Sequence, residues 1–557
     1  MIDLNQDLAK KFLTYLDNKQ YKRLRFEADM LGDIEDQQPV IMFYYASSIY
    51  LDDTSKNKEL LLSSLLFGKV YQSNKKHLQS LYNMIAVSFK TKVFKDVLPL
   101  ALKAYEKDDT DVKIIEGLAR INFYLGNRQE SHKLFRKLYS ILPNKKEGRL
   151  PFISSLNYTS GISQKDYLAE CLAYVDIVEK KLDIKNDKFS FDWKNNDKIK
   201  ISFLSADFKI HSVSHFLKDV LKQIDKSTFE IHLISNLKPK DQDDVSEELK
   251  KIVQKWHDIE DYSDNDLTNY LRSLKLDILI DLSGFTNGNR FETIVRRCAK
   301  IQIEWLGYNN TLGSKNMDYL ISDKNLIKSD EHNFYKEKIL YLPNIWNALS
   351  PPTQLPDIEK EINKNSSDFT FCSFNNFQKI SDRTIEVWSK ILKETKSNLL
   401  LKNSLIGGED LKNNVLKKFT LNGVDKEQII FFEREKNISD HLKLYNKADV
   451  ALDTFPYPGV TTSYEAILMG LPVLTMRGFN FNSRCGESIL KNIKMDDLIA
   501  NDDEDYFNKA ISLTQKKDLN KSYGINLRNK ALSSPLFDTV QFAKDFEELI
   551  INVYKKN

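Results

Sequence analysis

Cysteine is scarce in this chain and shows no pattern. Cys171, Cys298, Cys372 and Cys485 stand far apart, without the spacing of a metal site, and read as buried thiols in a reducing cytoplasm. An excess of one charge is also missing. Lys and Arg number 82 against 79 Asp and Glu, a net charge of +3, which gives no electrostatic basis for binding nucleic acid or an anionic membrane. No apolar run reaches the ~20 residues of a membrane span. The opening Met-Ile-Asp-Leu-Asn-Gln-Asp has acidic residues and no apolar core, unlike a secretory signal. A cytoplasmic location is therefore expected. His, Cys, Asp and Glu nowhere cluster with ligand spacing, so neither a metal nor a resident cofactor is expected.

What is present changes character along the chain. With 557 residues, three or four domains are expected. Residues 1 to about 185 read almost wholly as helix. Within them, 112–145 resemble a tetratricopeptide repeat: Ile115, Leu118, Ala119, Phe123, Gly126, Ser131, Phe135, Leu138 and Pro143 fall near the spacing of its ~34-residue helix–turn–helix unit. Ala119 and Ser131 are small enough for two helices to approach, and Pro143 ends the second. Residues 79–111 fit more loosely, and a plain helical bundle is the other reading. Either way a stacked helical layer is expected, of the kind that docks partners or substrates.

From Lys198 the pattern alternates between strand and helix, which implies parallel sheets covered on both faces. One set of strands is expected at Ile199–Leu204, Phe229–Ile234, Leu276–Leu282, Ile301–Leu306 and Asp318–Ile321. A polar stretch, Asp357 to Asp368, reads as a linker. A second set follows at Phe369–Phe374, Asn398–Lys402, Ile429–Phe432, Val450–Leu452 and Val473–Met476. The expected division is thus 1–190 helical, 191–356 first α/β lobe and 357–557 second α/β lobe. Ligands of such sheets bind beyond the carboxyl ends of the strands.

The chemistry-bearing residues fall at those ends. After Val450–Leu452 comes Asp453-Thr454-Phe455-Pro456-Tyr457-Pro458-Gly459, a turn forced by two prolines and a glycine. Thr461, Thr462 and Ser463 then stand where a helix begins, and Gly470 ends it. A helix N-terminus offers free N–H groups and a positive dipole end to a phosphate. Thr461 and Thr462 add hydroxyls, and Glu465 in the first turn is placed for sugar or ribose hydroxyls. An ordinary N-cap is the plain alternative. Lys379 follows Phe374-Asn375-Asn376 at another strand end, where an ammonium neutralises a leaving phosphate. His211 and His215 follow the first strand. A zinc pair is the metal reading of their spacing, but no Glu stands beside them and no third ligand follows. A single histidine acting as general base or diphosphate ligand fits better. His257 alone reads as a structural histidine. Asp281-Leu282-Ser283-Gly284-Phe285-Thr286 is a glycine turn that lacks the Gly-Lys-Ser/Thr of a phosphate loop and the glycine spacing of a dinucleotide site.

Taken together the motifs resemble the O-linked N-acetylglucosamine transferase and SPINDLY family, in particular its bacterial SPINDLY-like branch. The residues that carry this are Asp207 to His215, Asp281 to Thr286 with Arg290, Ile301 to Tyr308 with Met317-Asp318-Tyr319, Phe374 to Ile380, Leu452 to Tyr457 and Thr461-Thr462. Ser483-Arg484 and Ser533-Ser534-Pro535-Leu536-Phe537 complete the set. Their order runs over roughly residues 150 to 550. The resemblance implies an α/β GT-B fold, two Rossmann-like lobes behind an N-terminal helical tetratricopeptide-like domain. It implies metal-independent, inverting transfer of a sugar from a nucleotide-sugar to protein Ser/Thr side chains, UDP-N-acetylglucosamine being the leading donor. His211 and Lys379 take catalytic positions. His257, Gly307, Asn376, His441, Thr461, Thr462 and Glu465 take donor-binding ones.

Two positions depart from the family's transferases of N-acetylglucosamine. Val460 replaces a His before the two threonines, and Ile438 replaces a Lys near the base. Fucose from GDP-fucose and glucose from UDP-glucose stay open as donor sugars. Asn or a non-protein acceptor stays open too, as does an inactive repeat scaffold, although Lys379, His211 and both threonines are retained. The expected partners are protein acceptors docked by the helical region, with no nucleic acid and no membrane.

Overall fold

From Ile2 to Lys181 the elements are helices, and each has a local cause. Asp111 caps the helix Val112–Tyr124 by accepting from the Ile114 N–H at 3.0 Å. Gly126, at φ +77°, makes the turn into Arg128–Ile141. Ser131 Oγ donates to the Ala119 carbonyl at 2.9 Å, so the two helices do approach at the small residues. The preceding helix Leu78–Thr91 also lies close. A Cβ on Gly117 would stand 2.9 Å from Ile85 Cγ2.

The computed structural model describes residues 2–193, 197–359, 369–402, 409–435, 437–516 and 518–556. Most of the expected linker, 360–368, lies outside them. The chain forms two compact units. The first holds the described residues up to Ile141 together with 409–417, the front of the helix Glu409–Leu421. Within it, Asp410 Oδ2 accepts from the N–H groups of Phe94 (2.6 Å) and Lys95 (3.0 Å). Asn414 Nδ2 donates to the Leu125 carbonyl at 2.7 Å and to Asn127 Oδ1 at 2.9 Å. Helices persist to Lys181, but contacts divide the chain earlier. Lys146–Leu156 and Gln164–Lys181 therefore belong with the sheets.

The second unit contains two parallel sheets. The first is built from β1 (Ile199–Ser205), β2 (Phe229–Ser235), β3 (Lys255–Asp258), β4 (Ile278–Asp281), β5 (Ile301–Glu304), β6 (Tyr319–Ser322) and β7 (Lys338–Tyr341). Its order is β3-β2-β1-β4-β5-β6-β7. The second is built from β8 (Thr370–Ser373), β9 (Asn398–Lys402), β10 (Ile429–Phe432), β11 (Val450–Leu452), β12 (Val473–Met476) and β13 (Ile499–Ala500), in the order β10-β9-β8-β11-β12-β13. β4 and β11, which flank the switch points, are short, mostly apolar runs buried throughout, as parallel strands under helices on both faces are. In each sheet the order reverses once, between β1 and β4 and between β8 and β11. Those are the topological switch points where such sheets take ligands.

The two lobes are fastened within this unit. Gln164 donates to Asn310 Oδ1 (2.7 Å) and accepts from Asn480 Nδ2 (3.0 Å). Arg484 is held bidentately by Glu331. The last helix, Thr539–Lys556, packs against Ser212–Gln223 and sets Phe542 and Phe546 on Trp305. All four cysteines are buried thiols outside any disulfide. Among the described residues no helix is long and apolar enough to cross a membrane, and no three metal-ligating side chains are grouped.

Candidate active site

The turn after β11 is organised by Asp453, which is fully buried. Its Oδ1 accepts from Asn375 Nδ2 (3.0 Å), the Thr454 N–H (3.0 Å) and the Gly459 N–H (2.6 Å). Its Oδ2 accepts from Thr475 Oγ1 at 2.8 Å. One carboxylate thus joins the ends of β8, β11 and β12 and fixes the proline turn. Burial pushes it up to about 6, against these hydrogen bonds and the nearby Lys379 charge. Gly459 is required by crowding. A Cβ there would meet Thr462 Oγ1 at 2.5 Å and Asn375 Oδ1 at 2.6 Å.

Lys379 stands on this turn. Asn376 caps the short 3-10 turn Phe377–Lys379 by accepting from the Gln378 N–H. That brings the Lys379 ammonium to the Pro458 carbonyl (2.8 Å) and over the Tyr457 ring, 4.2 Å from its centroid. Burial lowers it to about 8, while the Asp453 charge opposes the fall. The helix Thr461–Leu468 starts alongside and ends as expected, with Gly470 at φ +71°. Thr462 Oγ1 donates to Asn375 Oδ1 at 2.6 Å. The Thr461 and Thr462 N–H groups, in the first turn, have no intrahelical acceptor and remain for a ligand. One turn further along the helix, beyond the first turn where the sequence suggested it, Glu465 Oε2 accepts from His441 Nε2 (2.9 Å) and Tyr445 OH (3.0 Å). The other ring nitrogen of His441 meets the Lys402 ammonium.

The first lobe contributes the facing wall. His211 caps the helix Ser212–Gln223, its Nδ1 accepting from the Val213 N–H at 3.3 Å. When that bond is made, a neutral ring carries its proton on Nε2, a donor suited to an anionic oxygen. It is 44% exposed, with Asp207 behind it at 3.8 Å. Gly307, after β5, lies against the start of this helix and the strand before it. A Cβ there would meet the Leu282 carbonyl oxygen at 1.9 Å and Val213 Cγ2 at 3.1 Å. Asp281 shapes the adjoining turn by accepting from the Ser283 and Gly284 N–H groups. Arg290 ties that loop to Asn236, Asp264 and the carbonyls of Ile259 and Tyr262.

The two walls meet. Thr461 Oγ1 donates to Ser212 Oγ at 3.1 Å, so two helix N-termini converge on one place. His211, Gly307, Asn376, Lys379, Thr461 and Thr462 belong to this cluster, with Glu465 and His441 one helical turn beyond. His257 stands apart, on β3 two strands from β1. Its ring bonds to His232 (3.1 Å) and Tyr270 (2.7 Å), and burial lowers it to about 4. The sequence reading gave no role to Asp453, Asn375, Ser212 or Lys402. Asp453 and Lys402 carried a usable signal, being charged residues at the carboxyl ends of apolar strands.

Chemically the cluster offers one ammonium, one histidine N–H and two helix ends to a multiply charged anion. Among the described residues it places no pair of carboxylates for acid–base work there. A model of glycosyl transferase family 41 matches residues 148–349 and 359–546. A Solanum lycopersicum protein, described as a probable UDP-N-acetylglucosamine–peptide N-acetylglucosaminyltransferase SPINDLY, is 28% identical over 360 residues, 64% of this chain and 39% of that protein. A Caenorhabditis elegans UDP-N-acetylglucosamine–peptide N-acetylglucosaminyltransferase is 22% identical over 507 residues, covering 69% of this chain and 43% of its own. The chain thus spans about two fifths of the length of these curated relatives. Among solved structures, a mutant of Thermobaculum terrenum O-GlcNAc transferase superposes with a TM-score of 0.78 at 22% identity, covering 93% of this chain and 98% of that one. That likeness establishes the two-lobed GT-B fold behind an N-terminal helical region.

Proposed function

We propose, for a chain that belongs to glycosyl transferase family 41, that it moves a sugar from a nucleotide-sugar to protein side chains, with inversion and without a metal ion. The observation that carries this is the convergence of Lys379, the start of helix 461–468 and His211 at facing switch points. A side-chain hydroxyl of Ser or Thr attacks the anomeric carbon, and its proton passes to a phosphate oxygen of the departing diphosphate or to water. The bond from that carbon to the β-phosphate oxygen breaks, and its electron pair leaves with the diphosphate. Lys379 and the helix N–H groups take up the growing charge, which is the work a metal would otherwise do.

UDP-N-acetylglucosamine is the leading donor, supported by the names of the relatives, with fucose and glucose donors as the alternatives. Protein acceptors dock on the N-terminal helices, read as tetratricopeptide-like, in a cytoplasmic enzyme. The test is a donor screen with UDP-N-acetylglucosamine, UDP-glucose and GDP-fucose, following nucleoside diphosphate release and sugar transfer to protein after exhaustive EDTA treatment. Transfer from one donor that survives EDTA is expected. Activity lost with EDTA and restored by Mg²⁺ or Mn²⁺ overturns the metal-free part, and no transfer from any nucleotide-sugar overturns the whole.

A further inference from the structure

The second lobe holds a buried cation that the chemistry above leaves unused. Lys402 ends β9, an otherwise apolar strand apart from Asn398, and is 6% exposed. Burying an ammonium is costly unless it is partnered. Its hydrogen-bond partner is His441 Nδ1, and the carboxylates of Glu465 and Glu435 and the guanidinium of Arg434 are the charges around it. A lysine ammonium has only donors, so Nδ1 must be the acceptor and the ring proton of a neutral imidazole must sit on Nε2. That nitrogen is 2.9 Å from Glu465 Oε2, to which Tyr445 OH also donates. One oxygen of Glu465 is therefore occupied twice. Among the described residues the other, Oε1, has no hydrogen-bond partner. Glu465 stands one turn, about 5.4 Å, along the helix whose first residues are assigned to the diphosphate. That is the order in which a ribose follows its phosphates.

We propose that Lys402 is a positioning residue for the nucleoside half of the donor: it fixes His441 as the Nε2–H tautomer, which locks Glu465 with Oε1 presented to ribose hydroxyls. The inference rests on the nucleotide-sugar reading of the cleft. It separates two functions along one helix. Thr461 and Thr462 hold phosphate, while Lys402, His441 and Glu465 hold the nucleoside, so their losses have different signatures.

The experiment labels histidine with ¹⁵N and reads ring proton–nitrogen correlations, assigning His441 by its disappearance in His441→Gln. In wild type one neutral tautomer protonated at Nε2 is expected. In Lys402→Met, which preserves the length of the stem, Nδ1 gains a proton. In parallel, UDP, GDP and inorganic pyrophosphate are titrated by calorimetry against both proteins. Lys402→Met is expected to weaken the better nucleoside diphosphate about tenfold, the scale of one hydrogen bond to a charged group, with pyrophosphate affinity preserved. A wild-type His441 protonated at Nδ1 overturns the inference without any variant. So does equal loss of pyrophosphate and nucleoside diphosphate, the mark of a merely structural lysine. If wild type binds a nucleoside diphosphate and Lys402→Met binds it equally well, the inference alone falls. If wild type binds neither UDP nor GDP, the nucleotide-sugar reading falls and takes the inference with it.

Discussion

Lys379 gathers most of the site's chemistry on one atom. Lys379→Ala is expected to lower transfer by ~10²–10³ with the fold intact by circular dichroism, and transfer within a few-fold of wild type would remove the residue from the mechanism. Its ammonium is held at about 8 in the free protein, below the ordinary value of a lysine. The active form is the charged one, present below that value and lost as pH rises through it. So kcat/KM, which reports the free enzyme, should fall above about pH 8. Asp453 raises Lys379, so Asp453→Asn removes that support and moves the alkaline limb to lower pH. A limb that stays in place means that another group titrates. Lys379 was legible in the sequence as a lysine after an apolar strand. That Asp453 and Pro458 lie beside it was not legible, because only the β8–β11 adjacency brings them together.

At the scale of the element, the helix Thr461–Leu468 carries the phosphate assignment. Replacing Thr461 and Thr462 together with Val keeps their size and removes two hydroxyl donors, each worth ~1.5–3 kcal/mol to a charged group. Nucleoside diphosphate affinity should fall at least about tenfold, while the phosphate-free nucleoside binds as before. Equal diphosphate affinity in calorimetry would return this turn to an ordinary helix start. The inner strands were legible as short, largely apolar segments between helical stretches, even where β1, β2 and β5 carry polar residues. β3 and β7 were not. Both are edge strands with exposed and half-buried residues. β3, Lys255 to Asp258, presents no apolar run, and β7, Lys338 to Tyr341, has a short one, Ile339-Leu340-Tyr341, that the alternating pattern did not single out. β13 is two residues long and has no pattern to read.

At the scale of the whole molecule, the alternation after Lys198 revealed two sheets, yet no local pattern marks residues 409–417 as companions of the N-terminal helices. Their link is made by Asp410 and Asn414, whose partners lie some 300 residues away in sequence. Removing residues 1–141 therefore strips hydrogen bonds from Asp410 and Asn414 as well as the proposed docking surface. The truncated protein is expected to melt at least ~2–4 °C lower for each kcal/mol lost, by scanning calorimetry. It should keep its nucleoside diphosphate affinity and show a raised KM for protein acceptors. An unchanged acceptor KM in the folded truncation would make the helices structural support only.

The split composition of the first unit has a consequence in time. A ribosome making this chain completes the helices up to Ile141 long before it reaches residue 409. At ~5–20 residues per second the wait is on the order of tens of seconds. During it Phe94, Lys95 and Leu125 lack the side chains of Asp410 and Asn414, and the first sheet emerges in the interval. Of the two units, the helical one therefore has most of its residues made before either sheet, yet it gains its last member only after most of the first lobe has been synthesised.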